Sequence, residues 1–170
     1  MMRIVSVLVL NQTGVLLRLT GMLTKRQINI ESMSVGPTEK EGVSRMTFLI
    51  RVRDDKRLET LLKQISKQVD VLQVSDLSNE RAIIKELALI KVVSNGLTRV
   101  EINGIIEPFR ASVIDVSRDS LTVQVTGGIS KIEAMIDLLS PYGIKEITRT
   151  GIAASTSEGR VKKIQQIGLK

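Results

Sequence analysis

The sequence has no cysteine, no histidine and no tryptophan, and only two phenylalanines and one tyrosine in 170 residues. Each absence removes a class of chemistry. Without cysteine there is no disulfide and no thiolate, which fits a reducing compartment. Without histidine, the commonest general base and the commonest metal ligand are gone. Catalysis would have to run on carboxylates or lysines. No D-x-D or E-x-x-H metal spacing occurs, and the GxGxxG and P-loop patterns are missing. The shortage of aromatics argues against RNA. Sheets that bind RNA stack bases on aromatic side chains, and here Phe48 stands alone on its strand, Phe109 lies on a helix and Tyr142 in a turn. No apolar run approaches the ~20 residues of a membrane-spanning helix. The opening MMRIVSVLVL reads as a strand and not a secretory leader, because no small-residue cleavage site follows it.

What is present is aliphatic. Hydrophobic residues make up 42% of the chain, so Ile, Leu, Val and Met must fill the core. The net charge is +7. Residues 1–78 hold 12 basic and 8 acidic residues, 79–150 hold 9 of each, and 151–170 hold 4 and 1. Such an excess suits nucleic acid or an acidic partner surface, but a solvated surface with a basic tail is the simpler reading.

Periodicity then gives an order. Arg3–Leu10 is an apolar strand, and Gly14–Arg26 an amphipathic helix with Leu16, Leu19 and Leu23 on one face. Strands follow at 28–35 and 43–52, joined by a turn-rich segment at 36–42. Asp54 or Asp55 caps a helix carrying Leu58, Leu61, Leu62 and Ile65, with a Glu59–Lys63 pair, and a strand at 69–77 closes the unit. After a polar joint at 78–81 the order repeats. A strand at 82–93 leads to a helix with a Thr98–Glu101 capping box, which Pro108 ends or bends. Strands at 111–116 and 121–126 follow, then a helix with a Ser130–Glu133 capping box, and a strand at 144–150. Two tandem βαββαβ units are expected, each an α+β, ferredoxin-like sandwich. The domains fall at 1–77 and 82–152, with 153–170 a flexible tail. Units this small are marginal alone, which favours association.

The stretch LNQTGVLLRL (10–19) joins the first strand to the first helix. Helix N-termini carry unpaired N–H groups that favour an anion, and Gly14 permits close approach to the backbone. The Asn11 amide offers a donor and an acceptor, and Val15 and Leu16 could border a small aliphatic side chain. That combination suits a free amino acid, but an ordinary capped turn explains the same residues. Asn29, at the start of the second strand, is either a polar contact beside this loop or across a dimer, or a turn residue.

In combination, the N-x-x-G-x-L loop (Asn11, Gly14, Leu16), NIES (29–32) and SRMT (44–47) resemble the N-terminal ACT domain of the small, regulatory subunits of acetolactate synthase, or acetohydroxyacid synthase. ELALIKV (86–92), IIEPFRASVIDVS (105–117), TVQVTG (122–127) and RTG (149–151) are similar to the C-terminal domain of that family. The resemblance covers residues 1–152. It implies a cytoplasmic, non-catalytic homodimer that binds and activates a catalytic large subunit and confers feedback inhibition by valine or another branched-chain amino acid. The catalytic partner of the family uses thiamine diphosphate, Mg and FAD; this chain would bind no cofactor and no nucleic acid. The resemblance places the effector between paired ACT domains. Asn11 and Asn29 would supply polar contacts, Gly14, Val15 and Leu16 backbone donors and an apolar wall, and Ile30 more wall. Ser34 and Gly36 would lie just beyond, with Gly36 leaving extra room.

Overall fold

The structure is a computed structural model describing residues 1–78 and 82–156 and the backbone of 163–165. The chain forms two compact units, Met1–Ile83 together with Ile152–Lys170, and Ile84–Gly151.

In the first unit the elements are β1 (Met2–Leu10), α1 (Val15–Lys25), β2 (Asn29–Pro37), β3 (Val43–Arg51), α2 (Asp55–Ile65) and β4 (Val71–Asp76). The strands lie in the order β4-β1-β3-β2, all antiparallel, as a split βαβ requires. Alternation decides which side chains meet the helices. Val5, Val7 and Val9 of β1 and Met46, Phe48 and Ile50 of β3 share a core with Leu19 and Leu23 of α1 and Leu58, Leu61 and Leu62 of α2. Asp54 caps α2 by accepting the Arg57 N–H at 2.8 Å, and Lys63 pairs with Glu59 at 2.8 Å, both as the sequence suggests.

The second unit repeats the plan with β5 (Ala82–Val93), α3 (Thr98–Ile106), β6 (Ser112–Val116), β7 (Ser120–Gly127), α4 (Ile129–Leu139) and β8 (Ile144–Arg149). The strand order is β6-β7-β5-β8, the same arrangement as in the first unit. Its core is again aliphatic, built on Ile90, Val123, Ile102, Ile132 and Met135. The double βαββαβ architecture expected from periodicity is the observed one.

Several local expectations fail for physical reasons. Leu16 is 39% exposed, because the buried line on α1 runs through Val15, Leu19 and Leu23. Val69 is 85% exposed and sits in the turn before β4. Neither capping box forms. Asn95 Oδ1 takes the Leu97 and Thr98 N–H groups at 3.0 Å each, which displaces Thr98 from the capping role, and Glu101 instead accepts the Tyr142 hydroxyl. At α4, Gly128 is the cap position and Glu133 accepts from Arg149.

The segment read as a flexible tail contains strands β9 (Ala153–Thr156) and β10 (Lys163–Gln165). β10 pairs with β4, whose outer edge would otherwise present unpaired N–H and C=O groups. Ile152 fastens the start of this segment to β2. Its N–H donates to Ser32 Oγ at 3.2 Å, and its carbonyl accepts from Ser34 Oγ at 2.6 Å. The expectation for residues 157–162 and 166–170 lies outside the described residues.

Candidate functional site

The loop 11–14 follows β1 and opens α1. Asn11 is anchored by its backbone, whose N–H donates to the Gly42 carbonyl at 2.7 Å. Its side-chain amide has no hydrogen bond among the described residues. Gly14 has φ +86, a left-handed conformation that favours glycine. A Cβ there would stand 3.0 Å from Arg18 Nη1, and Arg18 is held in place by an ion pair with Asp70. No side chain caps α1; the Val15 N–H donates to the Gln12 carbonyl at 3.4 Å, while the Leu16 and Leu17 N–H groups have no bond among the described residues and can meet a ligand. The Val15 side chain is buried in the core, so only its backbone faces the loop. Leu16 lies at the surface and provides the apolar side of this end.

Asn29 opens β2, and its Nδ2 donates to Glu31 Oε1 at 3.1 Å. Arg51 Nε donates to the same oxygen at 2.8 Å. The Arg51 hydrogen bond, then the Asn29 one, hold the Glu31 carboxyl below the usual carboxylate range. Ile30 packs half-buried against the core. Ser34 spends its hydroxyl on Ile152, whereas a Cβ on Gly36 would meet nothing within 4 Å, so that position is open.

Register separates these residues into two groups. β1 and β3 pair Leu10 with Val43 and Met2 with Arg51, while β2 and β3 pair Pro37 with Ser44 and Asn29 with Arg51. Gly36 therefore lies toward the Asn11 end of the sheet. Asn29 lies at the opposite end, level with Met2, about 30 Å from Asn11 along the strands at ~3.3 Å per residue. One chain does not bring Asn11 and Asn29 together.

The comparisons with known proteins agree across both units. Residues 5–73 match a family described as "AHAS small subunit-like ACT domain", and residues 85–158 one described as "Small subunit of acetolactate synthase". The chain is 61% identical over 154 residues to the acetolactate synthase small subunit of Bacillus subtilis (strain 168), spanning 91% of this chain and 90% of that protein. This chain belongs to the acetolactate synthase small-subunit family. The Aquifex aeolicus (strain VF5) small subunit is 44% identical over 161 residues, covering 94% of this chain and 83% of that one. The crystal structure of the Thermotoga maritima small subunit matches with a TM-score of 0.84 at 37% identity, over 94% of this chain and 99% of that one. As a small subunit with an ACT domain, the chain has the two-unit fold of its family throughout. Among the described residues, no helix is long and apolar enough to cross a membrane.

Sequence reasoning missed the residues that brace the loop. Arg18 and Asp70 look like ordinary surface charges until the fold joins them. The Glu31–Arg51 pair beside Asn29 was equally hidden, because β2–β3 register is needed to see it. A signal did exist for a third group: two Lys-Arg pairs, Lys25-Arg26 and Lys56-Arg57, lie at the end of the first helix and the start of the second.

Proposed function

We propose that this small subunit is a non-catalytic regulator that binds the thiamine-diphosphate-dependent catalytic subunit of acetolactate synthase, raises its activity, and makes it sensitive to valine in branched-chain amino acid biosynthesis. The observation that carries the sensing part is the opposite placement of Asn11 and Asn29 on one sheet. In the strand order, β2 is an edge. Two copies related by a two-fold axis would run their β2 strands antiparallel, bringing the Asn11 end of one against the Asn29 end of the other.

The chemistry of such a paired site follows from the groups present. The uncapped N–H groups of α1 and the Asn11 amide suit a carboxylate. The Asn29 amide, with Glu31 beside it, suits an ammonium group. Leu16 and the open space at Gly36 suit a small branched side chain. An amino acid bound there would change activity by favouring one arrangement of the holoenzyme over another. Reconstitution with the catalytic subunit tests this. Acetolactate formation should rise when the small subunit is added and fall when valine follows. Absence of both effects would overturn the reading.

A further inference from the structure

The first unit contains a cleft of about 490 Å³ that the amino-acid site does not use. Lys25 and Arg26, at the end of α1, line it on one side, and Lys56 and Arg57, in the first turn of α2, on the other. Among the described residues none of these four cations has an ion pair. The one acid in the lining, Asp54, is committed: it caps α2 through the Arg57 N–H. Its neighbour Asp55 is paired with Arg3. Four of the 12 basic residues of 1–78 thus line one cleft beside a single acid, and three of them, Lys25, Lys56 and Arg57, are exposed to solvent.

Lys25 and Arg26 suit the negative end of α1, but two other features of the arrangement work against the fold. Like charges repel around a shared cleft. Lys56 and Arg57 also stand at the positive end of a helix, where a cation is unfavourable by about 0.3–1 kcal/mol. Local rules are broken in this way at functional sites. A polyanion would offset both costs. The volume falls in the range of small-molecule sites, roughly 300–1,000 Å³. Guanidinium groups can meet phosphate oxygens two at a time, and lysines supply point charges. A free amino acid fits poorly, since its ammonium would face four cations against the single carboxylate of Asp54.

We propose that this cleft binds a small polyphosphate-bearing anion through Lys25, Arg26, Lys56 and Arg57. The test is calorimetric titration of the full chain with tripolyphosphate at physiological ionic strength, with inorganic phosphate alongside. Tripolyphosphate should bind once per chain and more tightly than phosphate. The double variant K25Q/R57Q should weaken it about tenfold or more, equivalent to about 1.4 kcal/mol. The variant K40Q/K67Q removes the same charge from exposed positions outside the cleft and should change affinity less than about twofold. A nucleoside triphosphate that binds more tightly than tripolyphosphate would assign the site to nucleotides, and equal affinity to bare polyphosphate. Circular dichroism melts establish that both variants are folded, which exposed substitutions should permit. Absence of tripolyphosphate binding would overturn the proposal, as would equal weakening by the two double variants. Loss of catalytic-subunit binding in K25Q/R57Q with no tripolyphosphate binding would also overturn it, since the cleft would then meet an acidic protein face.

Discussion

The two units share one plan and one strand order, yet they handle the same connection in opposite ways. In each, the first strand runs through an asparagine into the first helix. In the second unit the Asn95 side-chain oxygen is committed: Oδ1 accepts from Leu97 and Thr98, and the backbone N–H donates to Thr98 Oγ1 at 2.8 Å. In the first unit the Asn11 amide is unbonded among the described residues, α1 has no side-chain cap, and the turn depends on a left-handed Gly14. A connection whose polar groups are spent on the chain itself holds a fold. One whose groups are left open can hold a ligand, at some cost in local stability. The units also differ in where charge is buried. Glu86 of the second unit is only 2% exposed at its side chain and takes Arg149 on both oxygens, with Glu133 adding a third contact at 2.6 Å. These partners, Glu86 first, raise the Arg149 pKa above its already high ordinary value. In the first unit, Glu31 is 28% exposed and its partner Arg51 65%.

The largest effect should come from that contrast in burial. Arg149→Met would leave Glu86 charged, buried and unpaired, and should cost about 3 kcal/mol in chemical denaturation. Arg51→Met leaves Glu31 able to rehydrate, and should cost far less than Arg149→Met in the same measurement. Equal losses would erase the distinction. The next effect concerns the two loop glycines. Gly14→Ala forces a Cβ into a left-handed turn and against Arg18, and should cost about 1–2 kcal/mol. A Cβ on Gly96 would meet nothing within 4 Å, and its backbone is not left-handed, so Gly96→Ala should stay within about 0.5 kcal/mol. Thermal melts of the two variants side by side decide this. A neutral Gly14→Ala would show that the first loop carries no strain.

The shared plan of the units was legible in the sequence; the contrast between them was not, for physical reasons. Hydrophobic period and turn residues were enough for both βαββαβ units, because a face that alternates or repeats every three to four residues must be buried somewhere. Gly14 and Asn11 stood out as residue types. Their different fate from Gly96 and Asn95 did not, because that turns on which N–H groups a side chain reaches. The capping boxes failed for the same reason. T-x-x-E and S-x-x-E fit the pattern, but Asn95 Oδ1 took the Leu97 and Thr98 N–H groups and Arg149 claimed Glu133. Leu16 was misplaced because it borders the buried face, about 60° round the helix from Leu19, and periodicity alone does not say whether that border is covered. The 153–156 and 163–165 strands were unreadable as such. Apart from Ile164 their residues are small or polar, and β10 pairs with the edge of β4.

The finest test exchanges the asparagines' roles. Asn95→Ala removes two hydrogen bonds from the start of α3 and should lower stability by about 1 kcal/mol. It should leave the valine response of the reconstituted enzyme unchanged, because that loop offers a ligand nothing. Asn11→Ala removes no hydrogen bond among the described residues, and the backbone contact to Gly42 survives the substitution. Its melt should therefore match the parent within about 0.5 kcal/mol. The inhibition assay should nonetheless move, with the valine concentration for half inhibition rising about tenfold for the loss of one charge-assisted hydrogen bond of about 1.5 kcal/mol. On the proposed function, activation of the catalytic subunit should persist. If Asn11→Ala instead destabilises the chain as much as Asn95→Ala, and activation disappears together with inhibition, both asparagines are scaffold. The difference between the units would then lie in their charge and not in their loops.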